Sequence, residues 1–156
     1  LEARIQASML PLKNRPDIFG EQLLFNDDDE VTGNETRLLM QACQLSCDEI
    51  ARLVLERGGV CIPAHLDRQA NSMLTSLGAV PPDFPTDWIE LSQRADPDQF
   101  FLHHPDLMRY RFIVDSDAHH LSQIDEPGWP IDIKAWSGPA EARLNLLAAL
   151  RPQSRQ

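Results

Sequence analysis

From residue 46 onward the chain alternates helix-forming segments with short apolar runs, and this alternation restricts the fold more than any other feature of the sequence. Ser46 and Glu49 have the spacing of a capping box, in which each side chain accepts a hydrogen bond from the backbone of the other residue. Apolar residues then recur at helical spacing, and Gly58-Gly59 is the kind of pair at which helices end. The apolar run 60–64 that follows is typical of a buried strand. The sequence therefore predicts a helix followed by a strand, the repeating unit of α/β folds.

The same alternation continues beyond this unit. Further strands are predicted at 88–91, 111–114 and 131–136. Further helices are predicted to start at Asn71, at Asp96-Pro97 and at Gly138-Pro139. Because strands that alternate with helices usually pair in parallel, we expect an open sheet or part of a barrel.

Size and charge limit the function classes. The chain has 156 residues and is 42% hydrophobic, which is typical of one globular domain and excludes wholesale disorder. It carries 14 Lys and Arg against 24 Asp and Glu, a formal charge of −10. Such a surface repels phosphate backbones, so broad nucleic-acid binding is not expected.

Cysteine content and hydropathy indicate the compartment. Three cysteines are too few, and odd in number, for a disulfide scaffold, which favours the reducing cytoplasm. No run approaches the length of about 18 apolar residues that a membrane span needs. The first residue is Leu1 and no signal segment follows it, so we expect the chain to be an excerpt of a longer protein.

Potential metal ligands follow two of the predicted strands. His65 comes directly after the run 60–64, and Asp117 and His119 follow the strand 111–114. The carboxyl ends of parallel strands meet at one edge of a sheet, where functional groups gather. Two imidazoles and a carboxylate suit zinc, manganese or iron. The alternative is that His65 is a hydrogen-bonded structural residue and that Asp-x-His is a chance spacing.

Residues 58–68 (GGVCIPAHLDR) and 116–119 (SDAH) resemble conserved blocks of the PHP superfamily, named after polymerase and histidinol phosphatase. The resemblance covers roughly residues 15–150 and is to a bacterial branch of small stand-alone members. It implies an α/β fold, the C-terminal part of a distorted (β/α)7 barrel with metal ions at the strand ends. On this interpretation 1–35 is a loop-rich opening segment, 36–150 is the C-terminal portion of the barrel and 151–156 is a tail.

The resemblance also implies residue roles. His65, Asp117 and His119 would be metal ligands and would act in catalysis through the bound zinc, manganese or iron, and Arg68 would hold a substrate phosphate. The family's His-x-His motif is missing here, so the chain would carry only part of the site, and a longer protein would supply the rest. Catalysis by these 156 residues alone is therefore uncertain.

The resulting hypothesis is a metal-dependent phosphoesterase that hydrolyses a small-molecule or nucleotide phosphate ester with a metal-activated water. The alternative is a non-catalytic metal-binding or scaffold module. The expected partner is a small phosphorylated substrate, with neither nucleic acid nor membrane, and exposed strand edges of a partial barrel would favour homo-oligomers.

Overall fold

The computed structural model describes residues 1–124, 126 and 128–153. Contacts divide the chain into two compact units, one formed by Leu1–Glu49 and the other by the described residues from Ile50 onward. Of the predicted tail, residues 154–156 lie outside the described residues. No helix within the described ranges has both the length and the apolar composition needed to cross a bilayer.

The first unit consists of short elements joined by loops. They are the helices α1 (Glu2–Ala7) and α2 (Pro16–Phe19) and the strands β1 (Leu23–Phe25) and β2 (Val31–Asn34). The two strands pair antiparallel, and the acidic run Asp27-Asp28-Asp29-Glu30 lies in the turn between them. None of these four elements contains a fully buried residue.

The second unit carries the larger elements. They are α3 (Cys47–Glu56, which begins just before the unit boundary), α4 (Met73–Leu77), β3 (Trp88–Ser92), α5 (Pro97–His103), a 3₁₀ helix (Pro105–Arg109), β4 (Arg111–Asp115), a short 3₁₀ helix (Leu121–Gln123) and α6 (Pro139–Leu150). The core contains fully buried apolar side chains from β3, from the 3₁₀ helix before β4 and from the loop before α4, namely Ile89, Leu91, Leu107 and Leu66.

The predicted start and stop of α3 are confirmed. The amide of Glu49 donates to the hydroxyl of Ser46 (3.2 Å), and the amide of Ser46 donates to the carboxylate of Glu49 (2.8 Å). Gly58 adopts a φ of +79°, the left-handed conformation that ends many helices. A Cβ at Gly59 would lie 2.7 Å from a methyl carbon of Val54 and 3.2 Å from its carbonyl oxygen, so a larger residue at this position would force Val54 to shift.

The other predicted helices are also present, with one change of cap. Asp96 caps α5 by accepting hydrogen bonds from the amides of Asp98 and Gln99, as its position before Pro97 predicts. The prediction that Asn71 caps α4 is wrong, because Ser72 does so through a reciprocal pair of hydrogen bonds with Thr75.

Parallel pairing is confirmed for two strands. β3 and β4 pair in parallel over their whole length, from Trp88 opposite Arg111 to Ser92 opposite Asp115. The segment before His65 lies on the other side of β3, since the amide of Glu90 donates to the carbonyl of Pro63 (2.9 Å) and the amide of Leu66 donates to the carbonyl of Glu90 (2.9 Å).

The predicted strand 60–64 is nevertheless not a regular one. In a regular parallel pair, the two backbone hydrogen bonds of one residue go to residues two apart on the neighbouring strand. The two hydrogen bonds of Glu90 go to Pro63 and Leu66, which are three apart. Pro63 also has no amide to donate. The extra residue and the missing donor explain why the segment follows β3 without forming a complete ladder.

The predicted fourth strand at 131–136 is wrong. This segment forms no regular secondary structure and is mostly exposed, and Trp136 is 55% accessible. The side-chain amide of Asn145 in α6 donates to the carbonyls of Lys134 and Ala135, both at 3.2 Å, where a strand would have a backbone neighbour. The alternating polarity of the segment indicates partial exposure and is insufficient to specify a strand.

The prediction of a partial (β/α)7 barrel is therefore wrong for the described residues. These contain two separate sheets of two strands each, one antiparallel and one parallel, and no closed barrel. The fold is mixed α/β. A barrel needs each strand to have a neighbour on both sides, and β4 pairs with β3 alone.

Candidate functional site

The candidate site lies where three neighbouring segments of the second unit end. The loops after the irregular segment at 63–66, after β3 and after β4 line a polar cavity of about 940 Å³. Six of its polar lining side chains come in pairs, one pair from each of these segment ends: Asp67 and Arg68, Ser92 and Arg94, Asp117 and His119. Of the four residues that the sequence analysis singled out, Arg68, Asp117 and His119 line this cavity.

Asp117 is the centre of the charged contacts in this cavity. Its Oδ2 accepts from Nη1 of Arg68 at 2.9 Å, and its Oδ1 lies 3.8 Å from Nε2 of His119. The carboxylate of Asp115 accepts from the amide of Asp117 at 2.9 Å and holds that residue at a φ of +43°. The turn after β4 is thus fixed by its own side chain, and it presents the Asp117 carboxylate between an arginine and a histidine.

His65 takes a different position. Its amide donates to Oε1 of Glu90 at 3.2 Å, and its φ is +31°. Its Nδ1 is buried and has no hydrogen-bond partner among the described residues. His65 does not line the cavity that contains Asp117 and His119.

Glu90 connects these two positions electrostatically. The pKa of the Glu90 carboxyl is raised, first by burial, then by the charge of Asp115, and least by the charge of Asp117. The hydrogen bond from the amide of His65 and the charge of His65 act in the opposite direction and lower it. Both His65 and Asp117 thus act on one half-buried carboxyl at the centre of the parallel pair. Sequence reasoning assigned no role to Glu90. A glutamate flanked by apolar residues in a buried strand is the signal that was overlooked.

Asp67 and Ser92 form a second contact that sequence reasoning missed. Asp67 accepts from the amide of Ser92 at 2.6 Å and from its hydroxyl at 2.5 Å. Ser92 is 7% exposed, so the carboxylate satisfies a donor that water does not reach. We call this contact the Asp67–Ser92 clamp. It fixes the loop that carries Arg68 to the end of β3.

The donor atoms present are those that a divalent transition metal prefers. Metal–ligand distances near 2.1 Å place two ligands of one ion at most about 4 Å apart, and Asp117 Oδ1 and His119 Nε2 satisfy this limit at 3.8 Å. The buried Nδ1 of His65 is a further donor atom with no partner among the described residues. These two observations fit a cation-binding role.

The full predicted ligand set is not assembled, however. Within residues 1–124, 126 and 128–153, no group of three His, Cys, Asp or Glu side chains lies close enough together to hold one ion. The structure brings together Asp117, His119 and Arg68 but does not place His65 with them around a shared position.

Comparison with known proteins adds no further assignment. No protein-family model, no curated protein and no solved structure matches this chain. The candidate site therefore depends on its geometry and on the sequence pattern.

Proposed function

We propose that this chain contributes to a metal-dependent phosphoesterase that hydrolyses a small phosphate ester. The observation that carries the proposal is the Asp117 carboxylate, which is paired with Arg68 on one oxygen and lies within metal-bridging distance of His119 on the other. The resemblance of residues 58–68 and 116–119 to the PHP superfamily supports the same chemistry, independently of the barrel that the structure contradicts.

Each residue of the site has a definite task in this proposal. Asp117 and His119 would hold the cation, whereas His65 lies outside the cavity and is given no ligand role in this proposal. Arg68 uses one of its five N–H donors to orient Asp117 and has others left to bind a phosphoryl oxygen. A bound zinc, manganese or iron ion would lower the pKa of its water ligand to about 7.

Electrostatics explain why this chemistry needs a local cation. A phosphate monoester approaching a chain of charge −10 is repelled at long range, and Arg68 beside a bound divalent ion offsets that repulsion within the cavity. The same net charge disfavours nucleic acid as a substrate. A cavity of about 940 Å³ accommodates a small molecule or a nucleotide. We place the protein in the cytoplasm on the basis of its cysteine content.

The proposal is tested by phosphate release from p-nitrophenyl phosphate with Zn²⁺, Mn²⁺ or Fe²⁺ present. Asp117→Asn keeps the shape of the side chain but removes the charge that holds the cation, so release is expected to fall to background. Asp132→Asn is the matched control, because Asp132 is exposed and does not line the cavity. Equal release by both variants and the wild type contradicts the proposal.

A non-catalytic module is the second candidate. It is favoured by one observation, the lack of three metal-ligating side chains within reach of one ion in the part of the chain that the structure describes. A scaffold of this kind binds neither metal nor phosphate ester at the cavity. Wild-type protein that releases no phosphate with any of the three metals, and whose unfolding midpoint none of them raises, supports this second candidate.

A further inference from the structure

The charged side chains that line the cavity differ in whether they already have a partner. The five are Asp67, Arg68, Arg94, Asp117 and His119. Asp67 is bonded to Ser92 through both oxygens, and Arg68 is paired with Asp117. Among the described residues, by contrast, Arg94 has neither a hydrogen bond nor an ion pair at its side chain. Arg94 is thus an exposed cation at the rim of the cavity, and no group in the part of the chain that the structure describes neutralises it.

The backbone of Arg94 is held firmly although its side chain is not engaged. The amide of Ala95 donates to the carbonyl of Ser92 at 2.9 Å, which closes a tight turn with Arg94 at its centre. Ser92 in turn belongs to the Asp67–Ser92 clamp. Arg68 follows Asp67 directly, and Arg94 is two residues after Ser92, so each arginine is close in sequence to one of the two residues of the clamp. Their backbone positions relative to each other are therefore fixed by hydrogen bonds.

The character of the cavity points to the ligand of Arg94. Arg68 is beside the position assigned to the phosphoryl group, and the cavity, at about 940 Å³, is much larger than one phosphoryl group needs. A guanidinium binds a carboxylate or a phosphate through two parallel hydrogen bonds. In a chain with a charge of −10, an unneutralised arginine in a polar cavity fits an anionic ligand group.

We propose that Arg94 binds a second anionic group of the substrate, a carboxylate or another phosphate, while Arg68 binds the phosphoryl group that is released. This inference rests on the proposed function and names its substrate class: a phosphate ester that carries a further negative charge. Arg94 is then a specificity-determining residue, because a monofunctional phosphate ester leaves it without a ligand.

The test compares two probes that differ in the second anion. They are 2-phosphoglycolate, which has a carboxylate, and phenyl phosphate, which has none. For the wild type with Mn²⁺ we expect the ratio of kcat/KM for phosphoglycolate to that for phenyl phosphate to exceed one. Arg94→Gln lowers this ratio about tenfold or more, the size expected for a lost charge-assisted hydrogen bond. Arg94→Lys, which keeps the charge but not the fork, recovers part of it.

Arg52→Gln is the matched control, since Arg52 is an exposed arginine of α3 that does not line the cavity. This variant keeps the wild-type ratio. A ratio that Arg94→Gln leaves unchanged, or that Arg52→Gln lowers equally, overturns the inference.

A binding measurement separates this inference from the proposed function. If the wild type hydrolyses neither probe, the proposed function fails, and calorimetric titration with 2-phosphoglycolate and phenyl phosphate still tests Arg94. Preferential binding of phosphoglycolate that Arg94→Gln removes supports the second-anion site. Absence of binding by the wild type, or equal binding by wild type and Arg94→Gln, overturns it.

Discussion

Removing the carboxylate of Asp67 is expected to destabilise the second unit by about 3 kcal/mol. The Asp67–Ser92 clamp consists of two hydrogen bonds to a charged acceptor, at 2.6 and 2.5 Å. Such bonds contribute about 1.5–3 kcal/mol each, and we take the lower value because Asp67 is half-exposed. Asp67→Ala also leaves the amide of Ser92 without its acceptor at a position only 7% exposed.

The assay is urea unfolding at pH 7 of wild type, Asp67→Ala and Asp67→Asn. Asparagine keeps one acceptor oxygen, so we expect it to lose about half as much stability as alanine. Asp83→Ala is the control, because Asp83 is exposed and outside the cavity, and its effect is expected within about 0.5 kcal/mol. If Asp67→Ala costs no more than this control, the reasoning about the clamp is refuted.

Three further predictions concern stability and ionisation. Burial, and to a smaller extent Asp115, raises the pKa of Glu90, so above pH 4.5 the folded state keeps a proton that the unfolded state has lost. The free energy of unfolding therefore falls as the pH rises from 4.5 through the raised pKa of Glu90. Glu90→Gln removes this fall in unfolding titrations, and an unchanged pH profile contradicts the prediction. Hydrogen bonds from the hydroxyl and the amide of Ser137 lower the pKa of Glu141, so α6 loses this stabilisation as the pH falls through the lowered pKa. Ser137→Ala is expected to move the pKa of Glu141, measured by NMR, upward. An unchanged pKa refutes the contact. Ser72→Ala removes the cap of α4 and is expected to cost about 1 kcal/mol by urea unfolding, and a neutral result argues against the cap.

Local features of this fold could be predicted from the sequence because local contacts determine them. The capping box of Ser46 and Glu49 and the Asp96 cap of α5 both arise from hydrogen bonds between residues at most three apart. The parallel pairing of β3 and β4 follows from the helix between them, which makes a tight antiparallel turn impossible.

Features that depend on distant partners could not be predicted. The segment 131–136 has strand-like alternation, but its carbonyls are taken by Asn145 about ten residues further along the chain. Likewise, no local pattern connects Asp67 with Ser92 or Arg68 with Asp117, since these pairs form only once the segments lie side by side. Of the predicted site, Asp117 and His119 are close together because both belong to the short segment that follows β4, whereas the position of His65 depends on the irregular register beside β3.

The most direct test is the metal content of the protein after equilibrium dialysis against Mn²⁺, measured by elemental analysis. The wild type is expected to retain manganese in stoichiometric amount, and Asp117→Asn combined with His119→Asn is expected to retain none. Wild-type protein that emerges without metal, or a double variant that retains as much as the wild type, contradicts the assignment of Asp117 and His119 as a cation-binding pair.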